Sequence, residues 1–432
     1  MESEWKPTSL REAGVTLIDC DHRTPPATDG GYPYVAIPQL KEGRLALADA
    51  RRISPKHFAE WTRKAKPQRH DVILSRRCNP GETAYVPAGV ECALGQNLVL
   101  LRADGTKLFP PFLRWLVRGT DWWEQVGTFI NVGAVFDSLK CADIPNFKIP
   151  LPPLPEQKAI ATVLGVLDDK IELNRRMNAT LEAMARALFQ RWFVDFDPVR
   201  AKAEGRPPAG LDGPTAALFP AQFQDSEIGE IPHGWRTCTL GDIARNVSIT
   251  FDFKRTSEVI FINTGDVLEG DFLHSDRSLH AALPGQAKKS IQPDDILFSE
   301  IRPANKRYAY VDFDSTDYVV STKFMIIRGS REIHARLLYR MLTRAETLLE
   351  FQIQAESRSG TFPQITFDSV CYLPILLPPV EVQNAFQRTV SEFDLQIKFN
   401  KQQSRTLATL RNTLLPKLLS GELNLSQAAV TI

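Results

Sequence analysis

Apolar residues recur at alternating spacings of four and three positions in two long stretches of the sequence. The first stretch runs from Ile160 to Trp192, and the second runs from Phe386 to Leu418. A mean spacing of 3.5 residues is typical of the seam of a coiled coil. The pattern predicts two long helices that pack on each other, the first over about 155–193. The seam positions include Leu164, Leu167, Ile171, Asn174, Leu181 and Leu188 in the first helix, and Val390, Phe393, Ile397, Asn400, Leu407 and Leu414 in the second.

The two helical stretches are copies of one repeat. Leu-Pro-Pro-Leu-Pro-Glu-Gln at 151–157 returns as Leu-Pro-Pro-Val-Glu-Val-Gln at 377–383, a displacement of 226 positions. The same displacement carries Asp168 onto Asp394. Upstream, 71–75 matches 295–299 with a small slip. A repeat of this length indicates a chain built as domain, helix, domain, helix.

Outside the helices the sequence reads as short strands. Runs of apolar and β-branched residues lie between Gly, Pro and Asp, at 34–37, 71–75, 98–101, 259–262, 296–298 and 324–327. Two short helices are expected at 112–118 and 335–351. This order predicts mixed domains of the α+β type. We divide the chain into a first domain at 1–150, a first helix segment at 151–196, a linker rich in Pro, Gly and Ala at 197–230, a second domain at 231–376 and a second helix segment at 377–425.

Polar residues interrupt both helix seams near their middle. They are Asn174 and Asn178 in the first helix, and Asn400 and Ser404 in the second. An antiparallel pairing would bring them into one layer, which could fix the register of the helices. The alternative is that a loosely packed seam tolerates them.

Composition narrows the function classes. The 432 residues carry a formal net charge of +1, which argues against a uniformly basic surface for nucleic acid. Basic residues cluster only locally, around 63–69, 76–77 and 302–307. The chain has no apolar run long enough for a membrane helix, and its first residues lack the order of a secretory signal, so we expect a cytoplasmic protein. Six scattered cysteines without Cys-x-x-Cys indicate reduced, mostly buried thiols rather than a zinc site.

Catalytic motifs are missing from the sequence. It has no phosphate-binding Gly-x-x-x-x-Gly-Lys-Ser/Thr loop and no strand followed by Gly-x-Gly for S-adenosylmethionine. Phe-Pro-Pro-Phe at 109–112 lacks the polar first residue of an amine-methylating motif. Asp294 and Glu300 faintly resemble nuclease carboxylates, but Arg302 stands where a lysine is expected. We therefore expect no catalytic residue, metal site or cofactor in this chain.

The repeated Pro-Pro helix start, Asp168-Asp169-Lys170-Ile171 with Asn174, and Ile-Pro-His-Gly-Trp at 231–235 together resemble the specificity subunit of type I restriction-modification systems. The resemblance covers nearly the whole chain. The second helix start, at 377–383, departs from the family pattern.

This resemblance implies two target-recognition domains joined by two long antiparallel coiled-coil helices with pseudo-twofold symmetry. Each domain would read one half of a split, asymmetric site in double-stranded DNA. The helices would set the unread spacer and dock two methyltransferase subunits, and two motor-nuclease subunits would join for cleavage. S-adenosylmethionine, ATP and Mg²⁺ would then belong to these partners.

Polar residues in the loops after the matched strands are the candidate DNA contacts, because Arg, Asn and Gln can bond two atoms of one base. They are Arg76, Arg77 and Asn79 in the first domain, and Arg302, Asn305, Lys306 and Arg307 in the second. Two Gly-Thr-Phe segments, predicted as turns, add Thr128 with Asn131 and Thr361 with Gln364. Each residue could instead contact phosphate or lie on a plain surface.

Other functions stay open at this point. A stand-alone DNA-binding protein would need a basic footprint that the net charge does not supply. Neutrality and the helix seams are also compatible with an interaction scaffold, and a free-standing nuclease or methyltransferase lacks its motifs. The remaining apolar helix residues, Leu173, Met177, Met184 and Phe189, could serve a methyltransferase surface or pack against the domains.

Overall fold

The computed structural model describes residues 5–133, 135–254 and 256–425. The first four residues of the predicted first domain therefore lie outside the described residues. The chain divides into two compact units. Unit 1 comprises residues 1–176 and 400–432, and unit 2 comprises Met177–Phe399. No helix among the described residues is long and apolar enough to cross a membrane.

The described residues of unit 1 form four sheets, several short helices and the beginning of a long helix. The strands are β1 Pro7–Ser9, β2 Val15–Asp19, β3 Tyr32–Val35, β4 Leu40–Lys41, β5 Arg44–Leu45, β6 Arg51–Ile53, β7 Val72–Ser75, β8 Thr83–Tyr85, β9 Ala93–Leu94, β10 Leu98–Ala103 and β11 Lys148–Pro150. The helices are α1 Pro55–Trp61, α2 Pro110–Leu116, α3 Thr120–Phe129 and α4 Leu154–Phe193.

The central sheet of unit 1 is antiparallel, with strand order β2-β10-β7-β8. Residues 98–101 are buried on both faces of the sheet, so alternate side chains enter two different cores. Val99 and Leu101 pack with the helices, whereas Leu98 and Leu100 pack with Ile73 on the other face. Burial on both faces explains why β10 reads as a continuous apolar run rather than as an alternating strand.

Unit 2 repeats this plan. Its strands are β12 Phe223–Ser226, β13 Gly229–Pro232, β14 Arg236–Thr239, β15 Ala244–Asn246, β16 Glu258–Ile262, β17 Val267–Leu268, β18 Asp271–Phe272, β19 Arg277–Leu279, β20 Ala287–Ser290, β21 Ile296–Ser299, β22 Tyr308–Tyr310, β23 Tyr318–Ser321, β24 Phe324–Gly329 and β25 Pro374–Leu377. Its helices are α5 Asp197–Ala203, α6 Gly213–Ala217, α7 Leu240–Ile243, α8 Ala335–Leu342, α9 Ala345–Arg358, α10 Phe367–Val370 and the beginning of α11 Val380–Ser420. The sheet β15-β24-β21-β22 has the same order as the central sheet of unit 1.

The predicted linker at 197–230 is wrong as a plain connection. It contains α5 and α6, and β12 pairs with β13 in a hairpin. Val199 and Phe219 are buried in the core of unit 2, and the Phe219 ring lies 5.0 Å from the ring of Trp192. The frequent Pro, Gly and Ala reflect tight turns between small elements that pack on this core.

A buried glutamine fixes the start of α4. The Gln157 side-chain amide donates to the backbone oxygens of Lys107 and Pro152, at 2.9 and 2.8 Å. Its oxygen accepts from the backbone N–H of Phe109 at 2.7 Å. The side chain thus ties the segment that enters α2 to the first turn of the long helix.

The same arrangement holds the start of α11 in unit 2. Gln383 donates to the backbone oxygens of Glu332 and Pro378, both at 2.9 Å, and accepts from the backbone N–H of His334 at 2.9 Å. This conserved geometry gives a physical reason for the glutamine at the end of both Pro-Pro segments, although the residues between differ.

Within unit 1, α4 and α11 pack antiparallel. Asn174 of α4 lies beside Asn400 of α11, whereas Asp168, earlier in α4, lies beside Arg411, later in α11. The predicted seam residues are all buried or half-buried, and Leu164 of α4 packs in one cluster with Leu414, Leu415 and Leu418 of α11. Leu164, Ile171, Asn174, Val390, Ile397 and Asn400 are buried, and Leu167, Leu181, Leu188, Phe393, Leu407 and Leu414 are half-buried.

The polar layer of unit 1 is centred on Asn174, which is fully buried. Its side-chain amide lies within hydrogen-bonding distance of the Asn400 backbone oxygen, Gln403 Oε1 and Ser404 Oγ, at 3.3, 2.9 and 3.2 Å. Such a layer can favour one helix register over others. Register fixing therefore stays a hypothesis with a defined set of contacts.

Candidate nucleic-acid interface

In unit 1 the ends of β2 and β7 and the start of β10 lie at one edge of the central sheet. Asp19 is opposite Val99, and Leu98 is opposite Ser75, so β2 and β7 end where β10 begins. The loops at that edge are 19–22, 76–82, 95–97, 131–133 and 135–138, which we call edge 1. It contains Arg76 and Arg77, which directly follow β7.

Backbone hydrogen bonds attach the last of these loops to the first arginines. Asn131 and Ser138 exchange backbone bonds at 2.8 and 3.0 Å, and Arg77 forms an isolated bridge with Ser138. The Leu139 N–H donates to the Arg76 backbone oxygen at 2.8 Å. Asn131 and the two arginines, predicted separately from the sequence, are therefore neighbours.

Unit 2 builds the corresponding edge by the same connections. Ser299 at the end of β21 is opposite Phe324 at the start of β24. Ile301 forms a bridge with Gln364, and the Arg302 N–H donates to the Pro363 oxygen at 3.1 Å. We call residues 300–307, 322–323 and 359–365 edge 2.

At edge 1 the arginines keep unused hydrogen-bonding capacity. Arg76 and Arg77 are half-buried, and the Nε atom of each is without a hydrogen-bond partner among the described residues. The Arg77 guanidinium lies 5.6 Å from the centre of the Phe136 ring. Asn79 is exposed. Both Nε atoms are themselves buried, so an external acceptor can reach only the other atoms of these two side chains or the exposed Asn79.

At edge 2 the predicted DNA-contact residues differ in how strongly the protein itself holds their side chains. Arg302 and Asn305 are exposed, and Arg302 Nη2 donates to the Thr361 oxygen at 3.3 Å. Lys306 forms an ion pair with Glu269 at 2.6 Å. Arg307 donates to two backbone oxygens, each at 2.9 Å, and therefore has a structural role in this loop.

The loop of edge 2 is held in an unusual conformation. Arg302 and Lys306 have φ angles of 45° and 54°, in the left-handed region that residues other than glycine rarely adopt. Cys78, which takes the place of Arg302 in edge 1, has a φ of 65°. Such conformations cost energy and persist where the surroundings fix them. The two edges thus share a backbone path as well as a strand order.

Thr128 does not lie in a turn, which corrects one prediction. It belongs to the last turn of α3, where its hydroxyl donates to the Glu124 oxygen at 2.8 Å. The Gly-Thr-Phe segment at 360–362 lies in a loop, and Thr361 and Gln364 are both exposed there. The two Gly-Thr-Phe segments are therefore not structural equivalents.

The structural counterpart of Phe362 is Phe136, which the sequence comparison missed. Their loops make matching backbone bonds: the Cys78 N–H donates to the Asp137 oxygen, as that of Arg302 does to Pro363. Phe136 and Phe362 lie 226 positions apart, the displacement of the helix repeat. Holding that displacement fixed would have identified the pair.

Asp19, Cys20 and His22 form a group whose donor atoms lie within 4.8 Å of one another. These atoms could hold a metal ion, but each has a partner in the protein. His22 Nε2 lies 3.0 Å from Asp19 Oδ2, and the Cys20 thiol donates to the Gly95 oxygen at 3.1 Å. Burial raises the pKa of Cys20 to about 11, which disfavours the thiolate that a metal requires.

The cysteines are less buried than predicted. Cys20 and Cys92 are buried, Cys78 is exposed, and Cys141, Cys238 and Cys371 are half-buried.

The family model described as type I restriction modification DNA specificity domain matches residues 19–183 and 232–409. The chain is 49% identical to the type I restriction enzyme HindI specificity subunit of Haemophilus influenzae over 181 residues, which are 42% of this chain and 39% of that subunit. It is 26% identical to the type I restriction enzyme MjaIX specificity subunit of Methanocaldococcus jannaschii over 307 residues, or 69% of this chain and 66% of that subunit. The matches thus span less than two thirds of the length of either relative.

A crystal structure of the type I restriction-modification system S subunit from M. genitalium has a similar fold. The two share 15% sequence identity, the similarity covers 96% of each chain, and the TM-score is 0.55. The family model covers most of both units, including the greater part of both long helices and both strand-end edges. The chain therefore belongs to the type I restriction modification DNA specificity domain family.

Proposed function

We propose that this chain is the non-catalytic specificity subunit of a type I restriction-modification complex. Unit 1 reads one half of a bipartite DNA site through edge 1, and unit 2 reads the other half through edge 2. The observation that carries the proposal is the repeated edge: the same strand ends and backbone bonds present different side chains in the two units.

The difference in side chains supports an asymmetric site. Arg76 follows the matched strand of unit 1, whereas Glu300 follows that of unit 2. Each accepts a backbone bond from the apolar residue that closes its loop, at 2.8 and 2.9 Å, so the positions correspond. Arginine suits the acceptors of guanine, and a carboxylate suits the amino group of cytosine. The same scaffold therefore selects different bases at its two edges.

Adenine methylation and DNA cleavage belong to partner subunits in this proposal. Two methyltransferase subunits bind S-adenosylmethionine, and two motor-nuclease subunits use ATP and Mg²⁺. Leu173 of unit 1 and Met184 of unit 2 are 50% and 48% exposed, and each is a candidate for contact with a methyltransferase subunit. Phe189 is not available for docking, because it is buried against Phe386. We place the complex in the cytoplasm, where its DNA lies.

The test is to co-express the chain with candidate methyltransferase subunits and to map methylated adenines by long-read sequencing. We expect a two-part motif with a fixed unread gap. Arg77→Ala should relax or abolish one half of the motif, and Arg302→Ala should affect the other half. Arg206→Ala is the matched control, since Arg206 is an exposed arginine of unit 2 outside edge 2. A stable complex that methylates no bipartite motif would contradict the proposal.

A further inference from the structure

Each edge presents an exposed phenylalanine beside its arginines. Phe136 is 43% exposed and Phe362 is 72% exposed, although most phenylalanine side chains in this protein are buried or half-buried. Exposure of a large apolar ring at one position does not require a function. Exposure at two positions related by the repeat, on loops of matching connectivity, requires a shared explanation.

Gly133 and Phe136 approach each other closely. A Cβ atom added to Gly133 would come within 2.4 Å of the Phe136 backbone oxygen. Val132 and Val135 in the same loop are 84% and 88% exposed. The loop therefore holds an apolar tip outward instead of folding it into the core of unit 1.

The arginine beside each ring indicates which kind of molecule covers the ring. The Arg77 guanidinium stacks near Phe136, and Arg302 is bonded to the residue before Phe362. A cation next to an exposed ring matches a polyanion with flat apolar faces, since the cation can pair with phosphate while the ring contacts a base. Nucleic-acid bases supply such faces, and aromatic side chains stack on them.

We propose that Phe136 and Phe362 are wedges that enter a base-pair step, one in each half of the recognition site. This inference rests on the function proposed above, and it adds an unstacked step to each half-site. Apolar side chains used in this way partly unstack the bases and kink the duplex. Pyrimidine–purine steps deform most easily. Each half-site should therefore contain a TA or a CA/TG step at or beside the bases that are read.

The test uses the full chain in complex with its methyltransferase subunits and duplexes that carry the mapped site. 2-Aminopurine replaces one adenine at or beside the flexible step of one half-site, other than the adenine that is methylated, and its fluorescence rises when the base is unstacked. The methylated adenine is avoided because methyltransferases flip their target base out of the stack, which would raise the fluorescence without a wedge. At saturating protein we expect a rise in either half-site. Phe136→Ser should abolish the rise in the half read by unit 1, and Phe362→Ser in the other half. Each should weaken binding about tenfold, the effect of losing one stacking contact.

Two control variants separate a wedge from general surface effects. Phe136→Leu keeps an apolar side chain and should retain part of the fluorescence rise. Tyr372→Ala removes an exposed aromatic residue of unit 2 outside edge 2, 77% exposed, and should change neither binding nor fluorescence. Unchanged melting temperatures would show that the serine variants are folded.

The outcomes distinguish the wedge from the function on which it rests. If the complex binds its site specifically but the fluorescence rise survives both serine substitutions, or is absent in the unmodified complex, the wedge is wrong and the function stands. If the complex binds no bipartite site, both are wrong.

Discussion

Asp168 joins three arginines in unit 1, and its replacement by asparagine should destabilise that unit strongly. Asp168 Oδ1 lies 2.5 Å from Arg411 and 2.9 Å from Arg44, and Oδ2 lies 3.8 Å from Arg114. The side chains of Asp168, Arg411 and Arg114 are 8%, 9% and 14% exposed. The group links α11, the β4–β5 hairpin and α2 to α4.

Asparagine has nearly the same shape as aspartate, so the substitution removes the charge without opening a cavity. The arginines remain buried with no anion between them, and removal of one partner from a buried ion pair costs about 3–5 kcal/mol. Since Arg44 is partly exposed and can rehydrate, we expect about 3 kcal/mol for Asp168→Asn at neutral pH. Glu422→Gln is the control. Glu422 forms an ion pair with Lys417, and the two side chains are 39% and 45% exposed. Its replacement should therefore lower the free energy of unfolding by less than about 1 kcal/mol.

Urea unfolding followed by tryptophan fluorescence measures this difference, because five of the seven tryptophans lie in unit 1. A loss below about 1 kcal/mol for Asp168→Asn would refute the account of the cluster as a buried, mutually dependent ion group. It would mean that water or rearranged side chains replace the carboxylate.

The pH dependence gives an independent check. Burial raises the pKa of Asp168, but Arg44, Arg411 and Arg114 outweigh it, so the pKa lies below its ordinary value. Because the folded pKa lies below the unfolded one, the stabilisation is complete above about pH 5 and declines as the pH falls through the folded pKa. The difference between the natural chain and Asp168→Asn should therefore narrow in acid.

Four further substitutions test other parts of the structure. Gln157→Ala and Gln383→Ala each remove three hydrogen bonds of a buried side chain. Each should lower the free energy of unfolding in urea by about 2–3 kcal/mol. An effect confined to one of the two variants would contradict the structural equivalence of these glutamines. Asn174→Leu leaves three polar atoms without their donor and should destabilise unit 1 by about 1–2 kcal/mol, whereas a gain in stability would show that the polar layer serves no stabilising role. If Arg77 contacts phosphate, Arg77→Ala should lower the slope of log affinity against log salt concentration by about one. If Arg77 contacts a base, the variant should instead relax the methylated motif. No change in either quantity would show that Arg77 does not contact DNA.

The strands and the long helices could be predicted from patterns over a few neighbouring residues, and the repeat could be predicted by comparing the two halves of the chain. All six predicted strand runs overlap β3, β7, β10, β16, β21 and β24, and α4 begins within one residue of the predicted start. Period and turn residues act over a few positions and are visible in one sequence. The short helices and strands within 197–230 could not be predicted in this way, because they contain too few apolar residues to show a periodic pattern. Phe219 nevertheless packs in the core.

Which side chains of the candidate site are available for DNA, and which are bound within the protein, could be predicted only in part. Arg302 and Lys306 look alike in the sequence, yet Lys306 is occupied by Glu269 across the loop. Asp168 gathers arginines from three distant segments, and no local pattern indicates which of them meet. Phe136 is hard to recognise in the sequence for a different reason: it lacks the Gly-Thr that precedes Phe362, whereas another Gly-Thr-Phe stands at 127–129.

The discontinuous composition of unit 1 has a consequence for its synthesis. Its core includes Leu415, Leu418 and Leu419 of α11, packed with Phe112 and Leu116 of α2. These residues leave the ribosome only after all of Met177–Phe399 has been made. Unit 2 is a single continuous segment and can fold earlier, whereas unit 1 must wait with an apolar surface uncovered. A chain that ends before α11 is complete should therefore be captured by chaperones or aggregate, so that only finished chains present both edges.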